Sequence, residues 1–225
     1  MSDILPAIEV ETADHPEFSV IWLHGLGADG SDFVPLVPEL RLEDGPPVRF
    51  VFPHAPMIPV TCNGGYVMRA WYDIISLEPT SRRVDEAGIA RSQGAIRRLI
   101  ARENARGIDS ARIFIAGFSQ GGAVAYTTAL SYAEPLAGLI ALSTYIPDAT
   151  RLSRDLAPAN HALPVFAAHG QDDNVVAFEM GVAARDFLRQ RDYRVDWHDY
   201  PMAHAVCAEE IAAIGAWLRS RIAGD

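Results

Sequence analysis

The sequence predicts an α/β protein with a mostly parallel central sheet and helices on both faces. Two observations carry this prediction. Short, continuously apolar segments alternate along the chain with longer segments of helical periodicity. Polar stretches follow three of the apolar segments, at the strand ends where sites form in parallel sheets. The 225 residues contain no repeat or linker and suit a single domain spanning 1–225.

The predicted strands are short apolar runs, and the predicted helices are the longer segments between them. Strands are predicted at 18–23, 48–52, 112–117, 138–143, 164–169 and 193–200. Helices are predicted at 31–40, 85–106, 119–133, 176–191 and 208–222. Unbroken apolar character is typical of strands that are buried on both faces, which favours a parallel sheet.

Charge and composition exclude several classes of function. The net charge of −10 disfavours nucleic acid and anionic membrane surfaces as partners. All 19 basic residues are arginine, so the chain has no lysine for Walker A phosphate binding, Schiff-base chemistry or a Ser–Lys dyad. A serine nucleophile in this chain would therefore have to be activated by histidine.

The most informative motif is Gly-Phe-Ser-Gln-Gly-Gly at 117–122. It lies between a predicted strand and a predicted helix, which is the setting of the G-x-S-x-G nucleophile elbow. Glycines at such a tight strand-to-helix turn remove side chains that would clash. Ser119 is therefore the predicted nucleophile. The alternative interpretation is that Ser119 is only a helix N-cap.

The predicted triad follows from chain order, which in such sheets is serine, acid, histidine. Asp173, which follows the strand at 164–169, is the predicted acid, and Asp172 is the alternative; either could also be a turn or helix-cap residue. His204 lies in a loop between the last strand and the last helix and is the predicted base. His198 is the less favoured base because it belongs to an alternating strand.

The backbone amides of Gln120 and Leu26 are the predicted oxyanion hole. Gln120 follows the nucleophile, and Leu26 lies in the glycine-containing loop His24-Gly-Leu-Gly after the first apolar run. The alternative for this loop is a plain glycine turn. We expect His24 and His169 to orient loops by hydrogen bonding.

Two competing motifs are weaker. The loop at 25–30 also matches the dinucleotide pattern G-x-G-x-x-G, but the segment after it contains Pro35 and Pro38, and no acid ends the next strand. Metal binding by His198, Asp199, His204 and Cys207 lacks helical i, i+4 or Cys-x-x-Cys spacing. No cofactor and no metal are predicted.

With these residues in hand, the chain resembles the phospholipase/carboxylesterase group of α/β hydrolases, which includes bacterial carboxylesterases and acyl-protein thioesterases. The matching stretches are Ile-Trp-Leu-His-Gly-Leu-Gly (21–27), Asn-Gly-Gly (63–65), Trp-Tyr-Asp-Ile (71–74), Gly-Phe-Ser-Gln-Gly-Gly (117–122), Leu-Ser-Thr-Tyr (142–145), His-Gly-x-x-Asp (169–173) and Trp-His-Asp-Tyr-Pro-Met-x-His (197–204). The resemblance implies an α/β-hydrolase fold without a large cap domain. It also implies the same triad and the same oxyanion donors.

The resemblance further implies substrate contacts near the nucleophile. Trp71 and Tyr145 fall on the family's acyl-pocket stretches, and Val175, beside the acid, is a further predicted contact. Trp71 and Tyr145 could equally be core aromatics. Ala203 replaces a glycine that commonly precedes the histidine, and we expect its methyl group to cause only a small shift.

The residues and the resemblance together predict a serine carboxylesterase that acts on esters, and on thioesters as a further class, of short to medium acyl chains. The alternatives are acyl-protein thioesterase or lysophospholipase activity, and a non-catalytic ligand-binding receptor on the same fold. The expected partner is a small-molecule ester or thioester, with no nucleic acid and no stable membrane insertion. Acids near the N-terminus and only two cysteines, Cys62 and Cys207, favour the cytoplasm. Analogy with relatives suggests a homodimer through apolar residues of the segment 54–84.

Overall fold

The computed structural model describes residues 4–78 and 81–223. Its strands are β1 (Ala7–Glu11), β2 (Phe18–Leu23), β3 (Val48–Pro53), β4 (Met57–Val60), β5 (Tyr66–Arg69), β6 (Ile74–Glu78), β7 (Ser81–Val84), β8 (Ile113–Phe118), β9 (Gly138–Leu142), β10 (Val165–Gly170) and β11 (Val195–Tyr200). Seven of them form one sheet in the order β1-β3-β2-β8-β9-β10-β11. The edge strand β1 is antiparallel to β3, and the other neighbours are parallel. The predicted mostly parallel sheet is confirmed.

The described residues form five α-helices, of which four lie between strands and the last follows β11. They are α1 (Glu86–Ala105), α2 (Gln120–Leu130), α3 (Ala149–Asp155), α4 (Phe178–Arg189) and α5 (Ala208–Ile222). The helix predicted at 31–40 is wrong. That segment forms two short 3-10 turns, Val34–Leu36 and Pro38–Leu40. Pro35 and Pro38 each lack an amide hydrogen, and their rings clash with the preceding turn of an α-helix.

Both faces of the sheet are covered, as the apolar strands predict. Along β2, Ile21 and Leu23 belong to the cluster that includes buried residues of α1, α2 and α4. The alternate residues Val20 and Trp22 belong to the cluster formed with α5 and the two 3-10 turns. Successive residues of a strand point to opposite faces, so a continuous apolar run serves both layers.

The described residues of segments 54–84 and 144–162 form only short elements of secondary structure. Residues 54–84 contain two antiparallel hairpins, β4–β5 and β6–β7, and residues 144–162 contain the short helix α3. The hairpins carry most of the large apolar side chains that are exposed: Met57, Tyr66, Val67, Ile75 and Leu77. No helix within residues 4–78 and 81–223 is long and apolar enough to cross a bilayer.

Helix α5 begins with an unusual buried acid. Glu210 is fully buried, and among the described residues neither of its carboxylate oxygens has a hydrogen-bond partner. Burial raises the pKa of Glu210 from 4.5 to about 8. The Cys207 amide is close enough to oppose this shift, although it is not in hydrogen-bonding geometry. Glu210 is therefore protonated in the folded protein at neutral pH.

We expect Glu210 to make the protein less stable as the pH rises from 4.5 toward 8. In that range the folded state holds a proton that the unfolded state has lost, so the free energy of unfolding falls. At about 1.36 kcal/mol per pH unit, the upper bound of this loss is about 5 kcal/mol, which local relaxation reduces. Glu210→Gln is neutral at every pH and should remove the loss. Urea unfolding at pH 5 and pH 8.5 measures it.

The matched control is Glu209→Gln, because Glu209 is the exposed neighbour on the same helical turn. Glu209→Gln should show the same pH dependence of the free energy of unfolding as the parent protein. If Glu210→Gln also shows this pH dependence, the buried carboxyl of Glu210 is not its source.

Candidate active site

Ser119 lies on a strained turn between β8 and α2. Its backbone φ is 54° and its ψ is −121°. A non-glycine residue in such a conformation costs on the order of 1–3 kcal/mol and persists only where its surroundings hold it. Two hydrogen bonds do so here: the Ser119 amide donates to the Leu142 carbonyl (2.9 Å), and the Thr144 hydroxyl donates to the Ser119 carbonyl (2.6 Å).

The glycines of the motif allow a close approach of backbones. A Cβ atom on Gly117 would lie 2.5 Å from the Gly121 carbonyl carbon. A Cβ atom on Gly121 would lie 2.4 Å from the Leu23 carbonyl oxygen. Neither position has room for a side chain, so α2 starts directly against the ends of β8 and β2.

Three side chains that are distant in the sequence meet beyond the carboxyl ends of β8, β10 and β11. His204 Nε2 lies 2.9 Å from Ser119 Oγ, and His204 Nδ1 lies 2.7 Å from Asp173 Oδ2. The carboxylate can only accept a hydrogen bond, so Nδ1 carries the proton and Nε2 is left to accept one from the hydroxyl. The arrangement can move a proton from the serine to the imidazole beside a fixed negative charge.

Asp173 is held as an ionised acceptor. Its Oδ1 accepts hydrogen bonds from the amides of Val175 and Val176, both at 2.8 Å. Burial raises the pKa of Asp173, but the hydrogen bonds from His204 and from these amides outweigh it, so the pKa lies below its ordinary value. Asp172, the alternative acid, is exposed. Its backbone amide donates to the Met202 carbonyl in the loop that carries His204.

The turn that carries Asp173 (residues 171–176, the acid turn) and the loop that carries His204 (residues 201–207, the histidine loop) are joined through their backbones. The Gln171 amide donates to the Tyr200 carbonyl (2.8 Å), and the Asp172 amide donates to the Met202 carbonyl (3.1 Å). Ala203 is not among the described non-glycine residues with positive φ, so its methyl group fits without backbone strain. The replacement of glycine at this position is therefore compatible with the loop geometry.

The loop with the predicted second oxyanion donor lies against Ser119. A Cβ atom on Gly25 would lie 3.5 Å from the Ser119 Cβ. Within the part of the chain that the structure describes, the amides of Leu26 and Gln120 donate to no other protein group. The Gln120 side chain is fixed instead: its Oε1 accepts from the Trp71 amide (2.8 Å), and its Nε2 donates to the Tyr72 carbonyl (2.7 Å).

His24 orients this loop, as predicted. Its Nε2 accepts from the Ala55 amide (3.1 Å), so its Nδ1 carries the proton and donates to the Gly25 carbonyl (2.7 Å). Burial lowers the pKa of His24, which keeps the ring neutral. The Trp71 indole donates to the His24 carbonyl (2.8 Å).

His169 has the corresponding role at the acid turn. Its Nε2 lies 2.9 Å from the Val176 carbonyl, and burial lowers its pKa, so the neutral ring donates to this oxygen. Gly181 of α4 packs on the ring, since a Cβ atom there would lie 2.2 Å from His169 Nδ1. The prediction that His24 and His169 orient loops is confirmed by these contacts.

The predicted substrate contacts are divided between core and surface. Trp71 and Tyr145 are 2% and 3% exposed, whereas Val175 is 52% exposed. Trp71 and Tyr145 have packing and hydrogen-bonding roles, and their contact with substrate stays a prediction. A cavity of about 570 Å³ is lined by Arg82 and by residues of α1 and α3, and its lining includes neither Tyr145 nor any of Ser119, Asp173 and His204.

The two competing motifs find little support in this geometry. The loop at 25–30 leads into 3-10 turns, not into the α-helix that would receive a pyrophosphate, and the Gly30 amide donates to His54. His198 stacks on Phe166, and His204 contacts Ser119. Within residues 4–78 and 81–223, no three His, Cys, Asp or Glu side chains are arranged to hold a metal ion.

Nothing in the local sequence predicts several of the contacts at the site. Examples are the hydrogen bond from the Gln120 side chain to the Tyr72 carbonyl and the hydrogen bond from Arg82 of the second hairpin to the Val175 carbonyl. The available signal was Gln120, a polar residue that directly follows Ser119 at the buried start of α2 and therefore needs hydrogen-bond partners.

Comparison with known proteins identifies the family. The family model described as phospholipase/carboxylesterase matches residues 6–222. The chain belongs to the phospholipase/carboxylesterase family. This is a family of α/β hydrolases that act on ester bonds, so the predicted family and enzyme class are confirmed.

Individual members of the phospholipase/carboxylesterase family are similar over almost their whole length. Acyl-protein thioesterase 1 of Neurospora crassa is 39% identical, over 97% of this chain and 91% of the relative. Acyl-protein thioesterase 1 of Mycosarcoma maydis is also 39% identical, over 92% of each. The crystal structure of Arabidopsis thaliana SOBER1 has a TM-score of 0.84 at 31% identity and covers 91% of this chain and 98% of that one. The predicted α/β-hydrolase fold without a large cap is confirmed.

Proposed function

We propose that this protein is a serine carboxylesterase that hydrolyses carboxylic esters and thioesters of short to medium acyl chains. Ser119 is the nucleophile, His204 the general base and Asp173 the acid that orients it. The observation that supports this most directly is the continuous contact from Asp173 through His204 to Ser119, at 2.7 and 2.9 Å. No cofactor takes part in the proposed reaction.

In the proposed mechanism, His204 Nε2 takes the proton of Ser119 as its oxygen attacks the carbonyl carbon. The amides of Leu26 and Gln120 hold the resulting oxyanion, and Asp173 stabilises the imidazolium. The imidazolium then protonates the leaving alcohol or thiol. Water, deprotonated by the same imidazole, releases the acyl group from the serine.

Acyl-protein thioesterase activity, in which the thioester is carried on a protein, is the second candidate. It is favoured by the fungal relatives named acyl-protein thioesterases, which are 39% identical to this chain. The first steps on esters and thioesters are the same, so the triad does not separate the two. Lysophospholipase activity is a further candidate within the same family.

Paired substrate series test the proposal. p-Nitrophenyl esters and acyl-thiol thioesters of two to sixteen carbons are compared by kcat/KM, with Ser119→Ala as the control for uncatalysed release. We expect turnover of both series with a maximum at short to medium chains. Turnover of neither series by well-folded protein would favour the receptor alternative.

We further propose that the protein acts in the cytoplasm on small-molecule substrates. The exposed apolar residues of the hairpins β4–β5 and β6–β7 support a homodimer through this surface. These two proposals are independent of the assignment of the triad.

A further inference from the structure

A series of contacts connects the turn at Ser119 and Gln120 to the second hairpin, β6–β7. Gln120 is bonded to the backbone of Trp71 and Tyr72, as described above. The Tyr72 hydroxyl lies 2.8 Å from the Tyr145 hydroxyl, and both rings are buried. The guanidinium carbon of Arg82, on β7, lies 5.0 Å from the centre of the Tyr145 ring.

Arg82 connects this series of contacts to the acid turn. Its Nη2 donates to the Val175 carbonyl. The Val175 amide in turn donates to Asp173 Oδ1 (2.8 Å), and Asp173 Oδ2 binds His204. Because His204 contacts Ser119, which precedes Gln120 in the chain, the contacts form a closed ring around the site.

We infer that Arg82 is a positioning residue for the acid and base of the triad, an inference that rests on the proposed function. The side chain of Val175 gives the acid turn little support, since this residue is 52% exposed. Its backbone is held on one side by Asp173 and on the other by Arg82. Without Arg82, the turn loses its link to the hairpin and to the buried tyrosine pair.

Arginine suits this position better than other donors. Its planar guanidinium can lie over an aromatic ring and donate a hydrogen bond at its edge at the same time. Lysine would keep the charge and one donor but would fit the ring less well. Methionine would keep much of the length and remove the donor.

The test uses Arg82→Met and Arg82→Lys, with Arg83→Met as the matched control. Arg83 is the exposed neighbour on β7. We expect Arg82→Met to lower kcat by about tenfold with little change in KM for a short ester, because small displacements of reacting groups are costly. Arg82→Lys should recover part of the loss, and Arg83→Met should match the parent protein.

A spectroscopic measurement separates positioning from general damage to the fold. The proton on His204 Nδ1, which is hydrogen-bonded to Asp173, should give a downfield proton NMR signal. In Arg82→Met this signal should broaden or move upfield while the thermal midpoint stays the same. An unchanged signal with a parental kcat would overturn the inference, as would equal losses in Arg82→Met and Arg83→Met. Either result leaves the proposed function intact if Ser119→Ala is inactive, whereas an active Ser119→Ala would refute the function itself.

Discussion

Replacing Ser119 with alanine should lower kcat by a factor on the order of 10⁶, the size of the loss when the nucleophile of subtilisin is removed. Ser119 Oγ lies 2.9 Å from His204 Nε2 and is the proposed attacking atom. Alanine leaves the backbone turn unchanged, so the fold should be retained. Steady-state kinetics with a p-nitrophenyl ester, together with circular dichroism, measure both effects.

Ser143→Ala is the matched control for this variant. Ser143 is also buried at a strand end with a positive φ of 43°, and its hydroxyl has no hydrogen-bond partner among the described residues. Its loss should leave kcat close to the parental value. A folded Ser119→Ala variant that keeps most of the esterase activity would contradict the assignment of the nucleophile.

Replacing Asp173 with asparagine should lower kcat by about 10⁴, as in the corresponding variant of trypsin. The carboxylate oxygen that lies 2.7 Å from His204 Nδ1 accepts a hydrogen bond from this nitrogen and stabilises the positive charge that develops on the ring. An amide nitrogen at this position would donate instead and favour the wrong tautomer. The measurement is kcat for a p-nitrophenyl ester at one fixed pH, with the parent protein assayed in parallel.

Asp172→Asn distinguishes the two neighbouring acids. Asp172 is exposed, so its substitution should change kcat less than twofold, a shift of about 0.4 kcal/mol. If Asp172→Asn were as damaging as Asp173→Asn, the effect would come from the turn as a whole. If Asp173→Asn were nearly fully active, the carboxylate would have no role in orienting the base.

Much of the fold and the core of the site could be predicted because the signals are local. Apolar runs such as Phe18–Leu23 mark strands that are buried on both faces, and the observed β2 has these bounds. The motif around Ser119 combines glycines, a strand and a helix within a few residues. Chain order then restricts the acid and the histidine to loops after later strands.

The remaining features depend on contacts that are distant in sequence. The hairpins β4–β5 and β6–β7 contain Pro59, Gly64 and Gly65 and lack a clear alternating pattern, so nothing local marks them as strands. The edge strand β1 is stabilised by pairing with β3 across about forty residues. The segment 31–40 has helical spacing, but two prolines override that spacing.

The side chains that support the site cannot be predicted from local sequence, because their partners lie far away along the chain. Gln120 is fixed by the backbone of Trp71 and Tyr72, and Arg82 contacts a carbonyl in the acid turn. Each of these contacts joins segments about fifty to ninety residues apart. A single sequence carries no periodicity that marks such pairs.

Active-site labelling tests whether Ser119 is a nucleophile that is activated by His204. The protein is treated with a fluorophosphonate, digested, and mapped by mass spectrometry, with His204→Ala treated in parallel. We predict one stoichiometric adduct on Ser119 in the parent protein and a much slower reaction in His204→Ala. An adduct on another residue, or equal labelling of the two proteins, would contradict it.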